Sequence, residues 1–193
     1  MLGNQENRFM KRLILIDGNA ILHRAYHALP PLTNKNGEIV NAVYGFFSMF
    51  LKIIGDLNPQ YLAVCFDREA PTFRKVLYVG YQAKRPKTAD DLVPQIGIVH
   101  DVLEKAKVAI FEVDGYEADD LIGTLARQAV EGKWEVRNVK LENEMGSEKK
   151  SNISHHDPAS HLSRPTSSVE VIIVSGDRDM LQLVNSHVKV LAP

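Results

Sequence analysis

The chain has 193 residues, 45% of them hydrophobic, and a formal net charge of −1. That suits one domain with a packed core and excludes a globally basic surface. No apolar run approaches the roughly 18 residues that cross a bilayer, and the lone cysteine, Cys65, excludes an internal disulfide. A reducing, cytoplasmic setting follows.

Residues 1–10 read as a flexible N-terminal extension, and the domain runs from 11 to 193. Five apolar runs then predict strands: "RLILID" (12–17), "YLAVCF" (61–66), "VAIFEV" (108–113), "VEVIIVS" (169–175) and "HVKVLA" (187–192). Runs this continuous suit parallel strands covered on both faces. Three helical faces lie between them. The first is Val43, Phe46, Phe47, Phe50, Leu51 and Ile54; the second is Leu92, Ile96, Val99, Leu103 and Ala106; the third is Leu121, Ile122, Leu125, Ala126 and Ala129. The alternation predicts an α/β fold, an open and mostly parallel doubly wound sheet with helices on both faces. Residues 137–168 break the rhythm, being rich in Ser, Asn, His and Lys, and read as a disordered insertion. Its His155, His156 and His161 fit either a polar filler loop or metal ligands.

Charge is distributed unevenly. Arg68, Arg74, Lys75, Lys84, Arg85 and Lys87 face one acid, Glu69, within residues 68–87. The run fits either a solvated surface or a phosphate-tracking patch. In "DGYEADDLIG" (114–123), Asp114, Glu117, Asp119 and Asp120 crowd together. If a helix starts near Tyr116, its first turn favours acids and Asp114 helps to cap it. The wider pattern points further. Asp17 ends the first strand, Asp67 follows the second, Glu117, Asp119 and Asp120 follow the third, and Asp177 and Asp179 follow the fourth. In an open α/β sheet, these positions share the carboxyl edge, where ligands bind. Seven acids there call for cations, with Asp114 a bystander. No glycine cradle for a nucleotide phosphate is present. Carboxylates instead suit Mg²⁺ or Mn²⁺, and a pair of such ions about 4 Å apart is an arrangement that cleaves phosphodiesters.

The segments "LILIDGNAILHRAYHALPPLTNKNGEIVNAVYGF", "FDREAPTFRKVLYVGYQAKRP", "DGYEADDLIGTLA" and "VIIVSGDRDMLQLV" closely resemble the 5′–3′ exonuclease domain of bacterial DNA polymerase I, in the flap endonuclease superfamily with its PIN-like, resolvase-like fold. The resemblance covers most of residues 11–136 and 169–193. It implies a Mg²⁺- or Mn²⁺-dependent nuclease, with two ions, acting on DNA 5′ ends, flaps or RNA primer–DNA hybrids in replication and repair. A polymerase domain or separate polymerase chain is the implied companion, and no membrane is. By motif, Asp17, Asp67, Glu117, Asp119, Asp120, Asp177 and Asp179 are the implied metal-binding and catalytic acids. Arg24 lies where the family approaches the scissile phosphate. Phe73, Arg74, Tyr81, Gln82, Lys84 and Arg85 fall in the arch over the 5′ strand, where Tyr81 is placed to stack on a base and the arginines to contact phosphate. Phe73 fits either the arch or the core.

Three departures accompany the likeness. "YQAKR" puts Gln82 where the family has a lysine that assists the chemistry, leaving Lys84, two positions later, as the nearby cation. The insertion separates segments that run almost continuously in the family. The chain also stops at Pro193, before the family's final Asp pair and the helix–three-turn–helix motif that grips duplex DNA. A catalytically weak nucleic-acid-binding module is therefore the rival reading. A haloacid-type phosphatase is disfavoured, because Asn19 stands where it needs a second Asp.

Overall fold

The structure is a computed structural model that describes residues 11–68, 70, 72–78, 88–133 and 169–193. Its elements run β1 (Lys11–Asp17), α1 (Gly18–Ala28), α2 (Asn41–Leu57), β2 (Tyr61–Cys65), α3 (Phe73–Leu77), α4 (Val93–Lys105), β3 (Ala109–Phe111), α5 (Ala118–Val130), β4 (Val169–Val174), a 3₁₀ helix (Arg178–Leu183) and β5 (Val188–Leu191). All four strand pairings are parallel, and the order across the sheet is β3-β2-β1-β4-β5. The predicted open, parallel, doubly wound sheet is thus the observed one.

Side chains of the central strands alternate between two cores. Ile14, Ile16, Val64, Ile172 and Val174 pack with Phe46 and Phe50 of α2 and with Val99 and Leu103 of α4. Leu13, Leu15, Ala63, Cys65, Val171 and Ile173 pack with Ala118, Ile122 and Ala126 of α5. Period-2 alternation with both faces apolar is what produces the continuous hydrophobic runs of the sequence.

Two expectations change. The run 108–113 pairs with β2 over three residues only, Ala109–Phe111, because this edge strand turns outward into exposed Glu112 and Val113. The helix expected near Tyr116 starts at Ala118 with Asp119 and Asp120 in its first turn, which leaves Asp114 too far ahead to cap it. Gly115 takes a left-handed φ of +85°, and a turn with Tyr116 N–H on the Val113 carbonyl at 3.2 Å delays the helix until Ala118. Short helix α1, whose sequence lacks a long periodic face, buries Gly18, Ile21, Leu22 and Ala25.

Among the described residues no helix is long and apolar enough to cross a membrane. The N-terminal extension, the arch positions Tyr81, Gln82, Lys84 and Arg85, and the 137–168 insertion with its three histidines lie outside the described residues.

Candidate active site at the carboxyl edge of the sheet

The chain winds outward from β1 through β2 to β3 and returns to place β4 on the other side of β1. The order of strands therefore reverses between β1 and β4, and open α/β sheets bind ligands beyond the carboxyl ends of the strands at such a switch point. Asp17 ends β1 there. Its carboxylate caps α1, with Oδ1 accepting the Ala20 N–H at 2.9 Å, while Oδ2 accepts the Ser175 hydroxyl at 2.8 Å. Ser175 follows β4, is buried, and also accepts the Asp177 N–H at 3.0 Å. One hydroxyl therefore ties the two strand ends together. Burial pushes the Asp17 carboxyl up; the Ala20 and Ser175 bonds oppose this, and the Asp67 and Asp177 charges add to it.

Asp67 is fixed from two sides. Its Oδ1 accepts the Ala118 N–H at the start of α5 at 2.7 Å, where the helix dipole favours an anion. Its Oδ2 accepts from the Asn19 amide at 3.2 Å. Sequence reasoning used Asn19 only to exclude a phosphatase; in the structure Asn19 orients an acid. Ser175 and Thr72 were missed as well. The Thr72 hydroxyl donates to Glu117 Oε1 at 3.2 Å. The available signal was a small polar residue beside an acid motif in "SGDRD" and "APTFR".

Glu117 occupies the N-cap of α5. Asp120 Oδ2 accepts the Glu117 N–H at 3.1 Å, and its two oxygens accept both Nη groups of Arg74 at 2.6 Å. Arg74 also lies 3.6 Å from Glu117 Oε2. Burial raises the Asp120 carboxyl, but the Arg74 and Glu117 hydrogen bonds and the Arg74 charge hold it below the usual range. Asp119 goes the other way. Burial first, and then the Asp120 charge, push it up against the opposing Arg74 charge and Asp120 N–H. Arg74, expected on phosphate, is here engaged by acids, because a guanidinium close to three carboxylates is held by them.

Asp177 caps the 3₁₀ helix, accepting the Asp179 N–H at 2.9 Å, and both are exposed. Asp114 is exposed and pairs with Arg68 at 3.3 Å; among the described residues it caps no helix. Arg24 is exposed on α1. Phe73 is 41% exposed, which removes it from the core. Its ring lies 5.7 Å from that of Tyr116, with the Arg74 guanidinium 4.8 Å away.

The structure thus brings the seven predicted acids to one edge but not into one cage. Among the described residues no three His, Cys, Asp or Glu side chains are gathered closely enough in this conformation to form a metal cage. Most carboxylate oxygens turn instead to N–H, hydroxyl or guanidinium donors, which offset the charge crowding pairwise.

The sequence profile of the family "5′–3′ exonuclease, N-terminal resolvase-like domain" matches residues 12–140. The chain belongs to this family. It is 38% identical over 184 residues to DNA polymerase I of Borreliella burgdorferi, covering 94% of this chain and 16% of that protein. It is 34% identical over 184 residues to a 5′–3′ exonuclease of Aquifex aeolicus, covering 95% of this chain and 52% of that one. Solved structures share the fold. A T5 D15 protein co-crystallised with metal ions aligns with a TM-score of 0.54 at 14% identity, over 94% of this chain and 55% of that one. A bacteriophage T5 D15 flap endonuclease in a pseudo-enzyme–product complex with DNA and metal ions gives 0.55 at 15% identity, over 94% and 54%. The chain spans about half the length of the exonuclease relative and about a sixth of the polymerase.

Proposed function

We propose that this chain carries the active site of a cytoplasmic 5′–3′ exonuclease and 5′-flap endonuclease that hydrolyses DNA phosphodiesters in primer or flap removal. The carrying observation is the topology. The end of β1 and the segments following β2, β3 and β4 each bring at least one carboxylate to one edge, at the switch point between β1 and β4. Family membership supports the same reading.

Asp17, Asp67, Glu117, Asp119, Asp120, Asp177 and Asp179 are the residues that would hold two Mg²⁺ or Mn²⁺ ions. The donor set fits hard cations, since every group offers oxygen. Asp17 is pushed up by burial and, further, by two neighbouring acids, a like-charge strain that a bound cation relieves. Such ions, when bound, activate water and offset charge on the phosphodiester. Ser175 and Asn19 hold Asp17 and Asp67 in orientation. Exposed Arg24 contacts the strand near the scissile bond. Phe73, Tyr81, Gln82, Lys84 and Arg85 contact the 5′ strand, with Lys84 supplying the positive charge that Gln82 lacks, while Arg74 stays with Asp120. Substrates are 5′ ends, flaps and RNA primer–DNA hybrids, beside a polymerase domain or separate polymerase chain.

The test uses one flap duplex labelled in turn at the 5′ and 3′ end of the flapped strand, with Mg²⁺ or with EDTA. The proposal requires Mg²⁺-dependent release from the 5′ side only. Binding without cleavage in Mg²⁺ would establish the nucleic-acid-binding module instead.

A further inference from the structure

A pocket of about 430 Å³ opens beside the carboxylates, between α5 and the 3₁₀ helix. Asp119 and Asp120 line one end, Thr124, Arg127 and Gln182 lie further along, and Met180 contributes an apolar wall. Asp120, Thr124 and Arg127 are spaced by four and three residues, so they share one face of α5. At about 1.5 Å per residue, Thr124 lies about 6 Å and Arg127 about 10 Å along the axis from Asp120. Charge is polarised along this line. The acids crowd at the helix start, and Asp120 is already matched by Arg74. Arg127 is exposed and, among the described residues, makes no ion pair. Glu131, one turn beyond, is bonded by Lys133 at 2.7 Å and feels the Arg127 charge less than that of Lys133. A guanidinium and a hydroxyl on one helical face form a donor pair suited to a phosphate oxygen.

We propose that Arg127 and Thr124 form a second phosphate subsite, holding the DNA backbone one to three nucleotides from the phosphodiester at the carboxylates. The spacing fits: phosphates advance by at least about 3.4 Å each along a strand, so about 10 Å falls within that reach. The subsite rests on the nuclease reading of the neighbouring acids and adds to it a grip that keeps the strand in register.

The test is fluorescence anisotropy of a 3′-labelled 5′-flap duplex across KCl concentrations, in EDTA so that the probe stays intact. Arg127→Gln is expected to weaken binding by about three- to tenfold at low salt and to reduce the slope of log K against log salt by about 0.7–0.9. Arg127→Lys should keep the slope, and Thr124→Val should weaken binding by about two- to fivefold without changing it. Both side chains are exposed, and an unchanged melting temperature checks folding. An Arg127→Gln variant with wild-type affinity and slope overturns the subsite while leaving the nuclease reading intact. A wild-type chain that neither binds the flap nor cleaves it in Mg²⁺ overturns both.

Discussion

Replacing Arg74 tests how the acidic edge is held together. Arg74 meets Asp120 through two bonds of 2.6 Å, and the paired side chains are only 29% and 20% exposed. Exposed pairs contribute about 0.2–1 kcal/mol, and breaking a fully buried pair costs about 3–5 kcal/mol. A bidentate, partly buried pair should therefore couple by about 1.5–2 kcal/mol. The two single substitutions should be unequal. Arg74→Gln leaves Glu117, Asp119 and Asp120 repelling one another, whereas Asp120→Asn leaves Arg74 near Glu117 and Asp119. Arg74→Gln should thus cost more. The assay is urea denaturation of wild type, both single variants and the double variant at pH 7 in EDTA, closed as a double-mutant cycle. Freed of its guanidinium, the acid cluster should also bind Mn²⁺ more tightly. A coupling below about 0.5 kcal/mol, or equal single costs, would refute this account of the edge.

Gly18→Ala puts a Cβ 2.3 Å from a Phe66 ring carbon, and that buried ring lies against His100 with centroids 4.0 Å apart. The expected loss is about 1–3 kcal/mol, at about 2–4 °C of Tm per kcal/mol; an unchanged Tm would contradict the packing. Ser175→Ala strands Asp17 Oδ2 and the Asp177 N–H, costing about 1–3 kcal/mol in chemical denaturation, and no loss would mean that the strand ends are not tied there. Glu170, paired with Lys189 and Arg12, is held by them below its ordinary value of 4.5. Its stabilisation is therefore full above pH 4.5 and lost as pH falls through the folded value. Glu170→Gln should cost about 1 kcal/mol at pH 7 and progressively less below pH 4.5; a difference independent of pH would be against it.

The sheet was legible because burial on both faces writes itself as continuous apolar runs, as in residues 12–17 and 169–174. Asp17 and Asp67 could be placed because a parallel strand's last residue must lie at the carboxyl edge. Edge strand β3 was over-extended, since an apolar residue in an exposed turn looks the same in sequence as one in a ladder. Asp114 could be set aside as a bystander, but nothing in "DGYE" reports that Gly115 takes a positive φ, so the alternative of a cap stayed open in the sequence. The partners of the acids were least legible. Ser175, Asn19 and Thr72 become visible only when segments distant in sequence meet, and Arg74 reads as a phosphate ligand until Asp120 is found opposite it.

The most direct test of the central claim is the single-turnover rate of 5′-flap cleavage against Mg²⁺ concentration, for wild type and Asp17→Asn. Asparagine keeps an oxygen for the Ala20 N–H and remains a good helix cap, so the variant should fold and bind the flap as wild type does. The account predicts no cleavage in EDTA, a wild-type rate that climbs with Mg²⁺, and a loss of about a thousandfold or more in the variant. Cleavage that persists in EDTA, or that Asp17→Asn leaves intact, would contradict it.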